Sequence, residues 1–227
     1  MAIYDVTIII PAYLPSIDYV ALLNRAVLSI ANQKTNRDMR VIVVLNGCDD
    51  CIIEKALSVI HKYESSIDIT HIIVPEKIPC GVGRQVAFES LHDSSTRYIA
   101  LLDADDEYFE NKIEEQCTYM DTNPHIDLSF TSMVGVDGDH TYDPRYADHE
   151  YTCHDDIVRG LNFDCVLTGS SLMIRYTSLK RFGGFLPGPV GLEDYAMWKK
   201  MVDEGYVFGK IPKRLYKYSL TTTVPRN

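Results

Sequence analysis

The sequence predicts an α/β protein built on a mixed, mainly parallel sheet with helices on its faces. Short β-branched runs alternate with helix-like patterns through the first half, and each run ends in polar or turn-forming residues. At 227 residues, 46% of them hydrophobic and 24% charged, the chain has ordinary globular composition and reads as one domain with elaborations.

The elements follow in order. The opening "MAIYDVTIIIPAY" has no basic leader, and its apolar run is far shorter than the ~20 residues of a membrane helix, so it reads as a first strand over 6–10. Further strands are expected over 41–45, 69–74 and 98–102, with helices over 17–33, 50–63 and 83–92 between them. The second half is less regular. A helix over 110–123 leads to a strand over 127–131, and then "GVDGDHTYDPRYADHEYTCHDD" shows no periodicity and reads as a long excursion. "TGSSLMIRYTSLKRFGGF" supplies a turn, a strand and a helix, and "LEDYAMWKKMVDEG" a last helix with Met197, Trp198 and Met201 on one face.

A formal charge of -10, from 22 Lys+Arg against 32 Asp+Glu with no basic run, argues against a nucleic-acid partner and means that phosphates would need a cation between them and the protein. Six scattered cysteines suggest reduced thiols in a cytoplasmic protein; the "CDDC" pair, Cys48 and Cys51, has no second pair to complete a zinc site. His140, His149 and His154 match no ligand spacing.

"YIALLDADDEYF" carries an apolar strand straight into Asp103, Asp105 and Asp106. Adjacent anions repel unless solvent or a cation separates them, so the cluster is either a solvated turn or a metal site. In a DxD beyond a strand, alternate residues share a side, so Asp103 and Asp105 can aim at one point while Ala104 faces away. Short, hard oxygen ligands suit Mg²⁺ or Mn²⁺, completed by substrate phosphate.

Taken together, "VTIIIPAY", "GVGRQVAFE" leading to "YIALLDADDEYF", "TGSSLMI", "GGF" and "GLEDYAMWKKMVDEGYVFGKIPKRLYKY" resemble, in order and spacing, the family 2 glycosyltransferases of the GT-A fold. The resemblance implies a single Rossmann-like GT-A domain over 1–227, with a nucleotide-sugar half over 1–106 and an acceptor half over 107–227. It implies an inverting transferase that needs Mg²⁺ or Mn²⁺ and moves a sugar from a nucleoside-diphosphate donor to a carbohydrate or lipid-linked acceptor in bacterial surface polysaccharide or glycan synthesis. The place implied is the cytoplasm, extending to peripheral association with the inner face of the membrane.

Position by position, the resemblance sets Pro11 and Tyr13 in the nucleotide pocket, with Tyr13 beside base or ribose. Asn46 stands where the family usually has a base-binding Asp; an amide both donates and accepts, so it can read a uracil or thymine edge or equally meet a purine, and a uridine or thymidine diphosphate is the favoured donor. Arg84 corresponds to an Arg near the donor, Asp103 to a carboxylate near ribose and metal, Ala104 to the residue between, and Asp105 to the direct metal ligand. Gly169 and Ser170 match small residues that let the sugar approach the backbone. Glu193 and Asp194 match an "ED" pair whose Asp is the catalytic base; helix capping is the structural alternative. Trp198 and Lys199 suit either acceptor binding or packing.

Two departures stand out: Leu45 replaces a commonly acidic residue, and "YKYSLTTTVPRN" lacks the His with which the family often closes. They leave room for a sugar-nucleotide-binding protein of the same fold without turnover. A dehalogenase-type phosphatase would carry its DxD on the first strand, and a nucleotidyltransferase would carry a Gly- and Arg-rich loop where "PAYLPS" stands.

Overall fold

The computed structural model describes residues 4–91, 96–143, 148–185 and 192–220. Its centre is a mixed sheet in the order β3-β2-β1-β4-β8-β6-β9-β5, with β7 on β6. The first four in that order, β1 (Tyr4–Ala12), β2 (Met39–Asn46), β3 (Asp68–Val74) and β4 (Thr96–Leu101), are mutually parallel. Connecting them are α1 (Ile17–Ala31), α2 (Asp50–Tyr63) and α3 (Cys80–Glu89).

The continuous apolar run of β1 is explained by burial on both faces. Ile8 and Ile10 pack with Leu23, Val27 and Ile30 of α1 and Ala56 and Ile60 of α2, while Ile9, between them in sequence, packs on the opposite face. Each of these isoleucines is wholly buried, worth roughly 1.5–3 kcal/mol relative to exposure.

Beyond β4 the sheet changes character. Strand β8 (Met173–Arg175) is antiparallel to β4, and β6 (Leu128–Asp137) is antiparallel to β8 and parallel to β9 (Phe208–Ser219). The two-residue β5 (Glu107–Tyr108) closes that side. Helix α4 (Lys112–Thr122) joins the face of α1 and α2, while α5 (His154–Leu161), α6 (Tyr176–Phe182) and α7 (Glu193–Asp203) join α3 on the other.

Two expectations are corrected here, and one strand, β9, is added to them. The unpatterned stretch over 135–156 is not wholly irregular: β6 runs into it, a two-residue turn at Gly138–Asp139 returns the chain as β7 (His140–Tyr142), and α5 starts at its end. Helix α3 begins at Cys80, ahead of the glycines that look like a turn, because Gly83 lies close against β1: a Cβ there would stand 3.3 Å from the Cβ of Pro11. Its expected end, His92, lies outside the described residues. The long strand β9 carries little strand signal because Pro212 breaks its ladder: the register with β6 shifts between Ile211, opposite Thr131, and Arg214, opposite Ser132.

Candidate active site

Strand β1 lies between β2 and β4, so the connections leaving it diverge, and the crevice at its carboxyl end is where α/β sheets of this kind bind ligands. A cavity of about 290 Å³ opens there, lined among others by Pro11, Tyr13, Asn46, Asp103, Ala104 and Asp105. Six of the residues expected to meet a nucleotide sugar thus share one space.

The β2 end is built around Gly47. Its φ of +57° is left-handed, and a Cβ would fall 2.6 Å from the Cα of Lys77, so only glycine lets the 75–79 loop pass this close. That loop fixes Asn46, which is 3% exposed: the Ile78 N–H donates to its Oδ1 at 3.2 Å. One acceptor site of the amide is therefore in use, and its NH₂ offers the donors with which it can meet a ligand. Lys77 places Nζ 4.0 Å from the centre of the half-exposed Tyr13 ring, a cation–π contact that leaves the wall positive.

The carboxylates after β4 divide into two kinds. Asp103 and Asp105 face the cavity. Asp106 is 1% exposed and turned inward, where its Oδ1 accepts from Ser219 N–H at 2.8 Å and the Ser170 hydroxyl donates to it. Burial, with the charges of Asp103 and Asp105, holds its carboxyl well above the usual range. Ser170 also accepts from Asp103 N–H at 2.9 Å and is itself 1% exposed. It braces the acidic turn instead of presenting a surface to a sugar. Asp106 likewise ties that turn to the end of β9.

Arg84 joins the acidic turn after β4 to the start of α7. Its side chain is 2% exposed; Nη2 donates to Asp103 Oδ1 at 2.9 Å and Nη1 to Asp194 Oδ1 at 2.5 Å. Burial alone would disfavour the guanidinium charge, but Asp194, Cys80 and Asp103 together hold its pKa well above the ordinary value. Glu193 and Asp194 occupy the first turn of α7, whose N-cap is Leu192, without a side-chain cap bond. Asp194 is thus bound to a residue 110 positions away. Its role extends beyond the helix to which it belongs.

The remaining candidates separate. Trp198 is wholly buried with Met197 and Met201, so it packs the core; its indole N–H has no partner among the described residues. Lys199 reaches Asn162 and the Leu161 carbonyl at the end of α5. His154 Nδ1 accepts from Phe208 N–H at 3.2 Å, an internal use of a loop histidine. Cavity residues not singled out from the sequence are Tyr19, Ile78, Cys80 and Tyr218. Of these, Ile78 and Cys80 lie in the polar stretch "PEKIPCGVGRQ" after β3, but nothing local marks Tyr19 on a helix face or Tyr218 on a late strand. Tyr218 also lines a second, more apolar cavity of about 430 Å³ against the paired strands β6 and β9, bounded as well by Tyr142 of β7 and by Cys165, Val166 and Thr168.

A metal at Asp103 and Asp105 is consistent with the donor set. Among the described residues no group of three His, Cys, Asp or Glu could enclose an ion. Two carboxylates facing one cavity are what Mg²⁺ or Mn²⁺ takes when phosphate oxygens and water complete its shell. Among those residues, no helix is long and apolar enough to cross a membrane.

The fold is that of GT-A glycosyltransferases. Residues 1–349 of S. aureus TarS in complex with UDP superpose with a TM-score of 0.75 at 18% identity, covering 95% of this chain and 60% of that one. The mannosyltransferase PcManGT from Pyrobaculum calidifontis, in complex with GDP-Man and Mn²⁺, gives a TM-score of 0.70 at 17% identity, covering 97% and 58%. At the level of sequence, residues 7–183 match glycosyl transferase family 2, and the chain belongs to that family. A relative named "Uncharacterized glycosyltransferase MJ1057", of Methanocaldococcus jannaschii, is 26% identical over 198 residues, 87% of this chain and 66% of its own length. The chain thus spans about two thirds of that relative.

Proposed function

We propose that this chain transfers a sugar from a nucleoside-diphosphate donor to an acceptor hydroxyl in one displacement that inverts the anomeric centre. The observation that carries the reading is that Asp103 and Asp105 line one cavity and that Arg84 bonds both Asp103 and Asp194. The half over 1–106 supplies the donor pocket: Pro11 and Tyr13 flank the nucleoside, and the free NH₂ of Asn46 donates to a base carbonyl. Uracil and thymine offer such an acceptor, and a uridine or thymidine diphosphate sugar is the proposed donor.

Asp105, with Asp103, would hold Mg²⁺ or Mn²⁺; the ion supplies charge stabilisation to a departing diphosphate. Asp194 accepts the proton of the acceptor hydroxyl as that oxygen bonds to the anomeric carbon, with Glu193 beside it on the first turn of α7. The half over 107–227 supplies the acceptor side, and the acceptor is a carbohydrate or lipid-linked glycan of polysaccharide synthesis, met in the cytoplasm or at the inner membrane face.

A panel of UDP-, dTDP-, GDP- and ADP-sugars, assayed for nucleoside diphosphate release with Mn²⁺, tests the reading. Release from a uridine or thymidine donor is expected. Binding of nucleotide without turnover on any acceptor tried would favour a sugar-nucleotide-binding protein of the same fold.

A further inference from the structure

We infer that Arg84 is a positioning residue of this site: it fixes where the Asp194 carboxylate stands relative to the acidic turn after β4, and residue 169 is glycine because the guanidinium lies where a side chain would be. The inference rests on the transferase reading but changes the part Arg84 plays in it, from a contact of the donor to a clasp between two pieces of protein.

Three segments meet at this cation. Helix α3 carries Arg84, the acidic turn presents Asp103, and α7 presents Asp194. The guanidinium is a rigid planar fork, so a carboxylate on each terminal nitrogen sets the separation of Asp103 and Asp194 in a way that a lysine ammonium cannot. Both carboxylates keep about a third of their side-chain surface exposed, 34% and 37%, while the cation between them keeps 2%. The arrangement hides the positive group and leaves both negative groups part-exposed, Asp103 on the cavity.

Gly169 forms the seat. A Cβ there would lie 2.6 Å from Nη2 of Arg84 and 3.4 Å from Oδ2 of Asp103. A terminal guanidinium nitrogen can usually move aside, but this one is held by Asp103 while its twin Nη1 is held by Asp194, and a shift of the fork breaks those bonds. The seat is itself held, since Ser170, the next residue, bonds both the Asp103 N–H and the Asp106 carboxylate. A proton acceptor displaced by about 1 Å can lose roughly 10²-fold in rate, which is the scale of what the clasp protects.

The test compares Arg84→Ala, Arg84→Lys and Gly169→Ala with the wild type, in Mn²⁺ and with the donor identified by the panel. The clasp predicts that Arg84→Ala lowers kcat by about 10²-fold while KM for donor and calorimetric affinity for the nucleoside diphosphate stay near wild type. Added guanidinium ion should restore part of the rate. In an Asp194→Asn background the same substitution should cost little more. Affinity falling in step with kcat, or losses that multiply in the double variant, would make Arg84 a donor contact and overturn the inference. If Arg84→Ala does not fold, Gly169→Ala decides the matter, and a folded Gly169→Ala with wild-type kcat overturns the seat. Hydrogen exchange gives a reading that needs no turnover: amides over 196–200, the first of α7 to bond back along the helix, should exchange faster in Arg84→Lys, and unchanged exchange rejects the clasp. A wild-type chain that neither binds nor turns over any donor rejects the transferase reading itself.

Discussion

Arg84 and Lys112 are both buried cations, and both reach the short 3₁₀ turn Gly169–Ser171, Arg84 against Gly169 and Lys112 through Gln116, whose amide donates to the Ser171 carbonyl at 3.0 Å. Their protonation is driven in opposite directions. Arg84 has two carboxylates and is held more basic than usual. Lys112 has the Gln116 amide oxygen and the Tyr108 ring, and burial brings its pKa down to about 7. Depth of burial does not distinguish them; the charge of the partner does. One cation belongs to the crevice and organises anions there, while the other supports the turn from below at a cost in stability.

Asp105→Asn should lower nucleoside diphosphate affinity in Mn²⁺ by at least ~10²-fold, since loss of mere outer-shell partners of a metal already costs about 10–100-fold. Titration calorimetry with and without chelator reads this, and equal affinity in both conditions would remove the metal from the account.

Next comes the lysine. The folded chain holds Lys112 at about 7 against an ordinary 10.5, so between those values the unfolded chain binds the extra proton and stability rises with pH. The handicap is complete below the folded value and absent above the unfolded one. Lys112→Met should therefore raise Tm at neutral pH, by about 2–4 °C for each kcal/mol relieved in a chain of this size, and should flatten the rise in denaturant midpoint between neutral pH and pH 9. Parallel pH curves for the two proteins would show that the ammonium carries no such handicap.

The smallest effect lies away from both cations. Asn46→Ala removes one donor to the base, worth about 1 kcal/mol, so affinity for UDP should fall by roughly a factor of five, with a smaller change for ADP. A thermal-shift series ranking GDP well above UDP and dTDP in the wild type would contradict the proposed base.

The parts of the site legible in the sequence are those that local chemistry marks. Asp103 and Asp105 stand out because an apolar strand has no other reason to end in carboxylates, and Asn46 and Tyr13 because they close neighbouring parallel strands. The first half of the fold was readable for the same reason: strands buried on both faces write themselves as apolar runs. The Asp106 carboxylate, by contrast, looks like its neighbours in sequence and is set apart only by Ser170 and Ser219, 113 residues beyond it in the second case. Lys112 reads as a surface residue at a helix start, and only the packing of α4 over Tyr108 buries it. The β6–β7 hairpin did leave a signal, the Gly138-Asp139 pair, but it sits in a stretch of charged and aromatic residues with no alternation to support it.

The most direct test of the central claim, that Asp194 is the proton acceptor of a transfer site completed by Asp103 and Asp105, is kcat for Asp194→Asn measured beside its melting temperature and its nucleoside diphosphate affinity. Asn and Asp are comparable near a helix start, so if helix stability were the only duty of this residue the substitution would change little. The expected result is a folded chain with nucleotide affinity close to wild type, a Tm lowered only by the loss of one carboxylate from the buried Arg84, and turnover lower by roughly 10²-fold or more. Near wild-type turnover would contradict it and move the proton to Glu193.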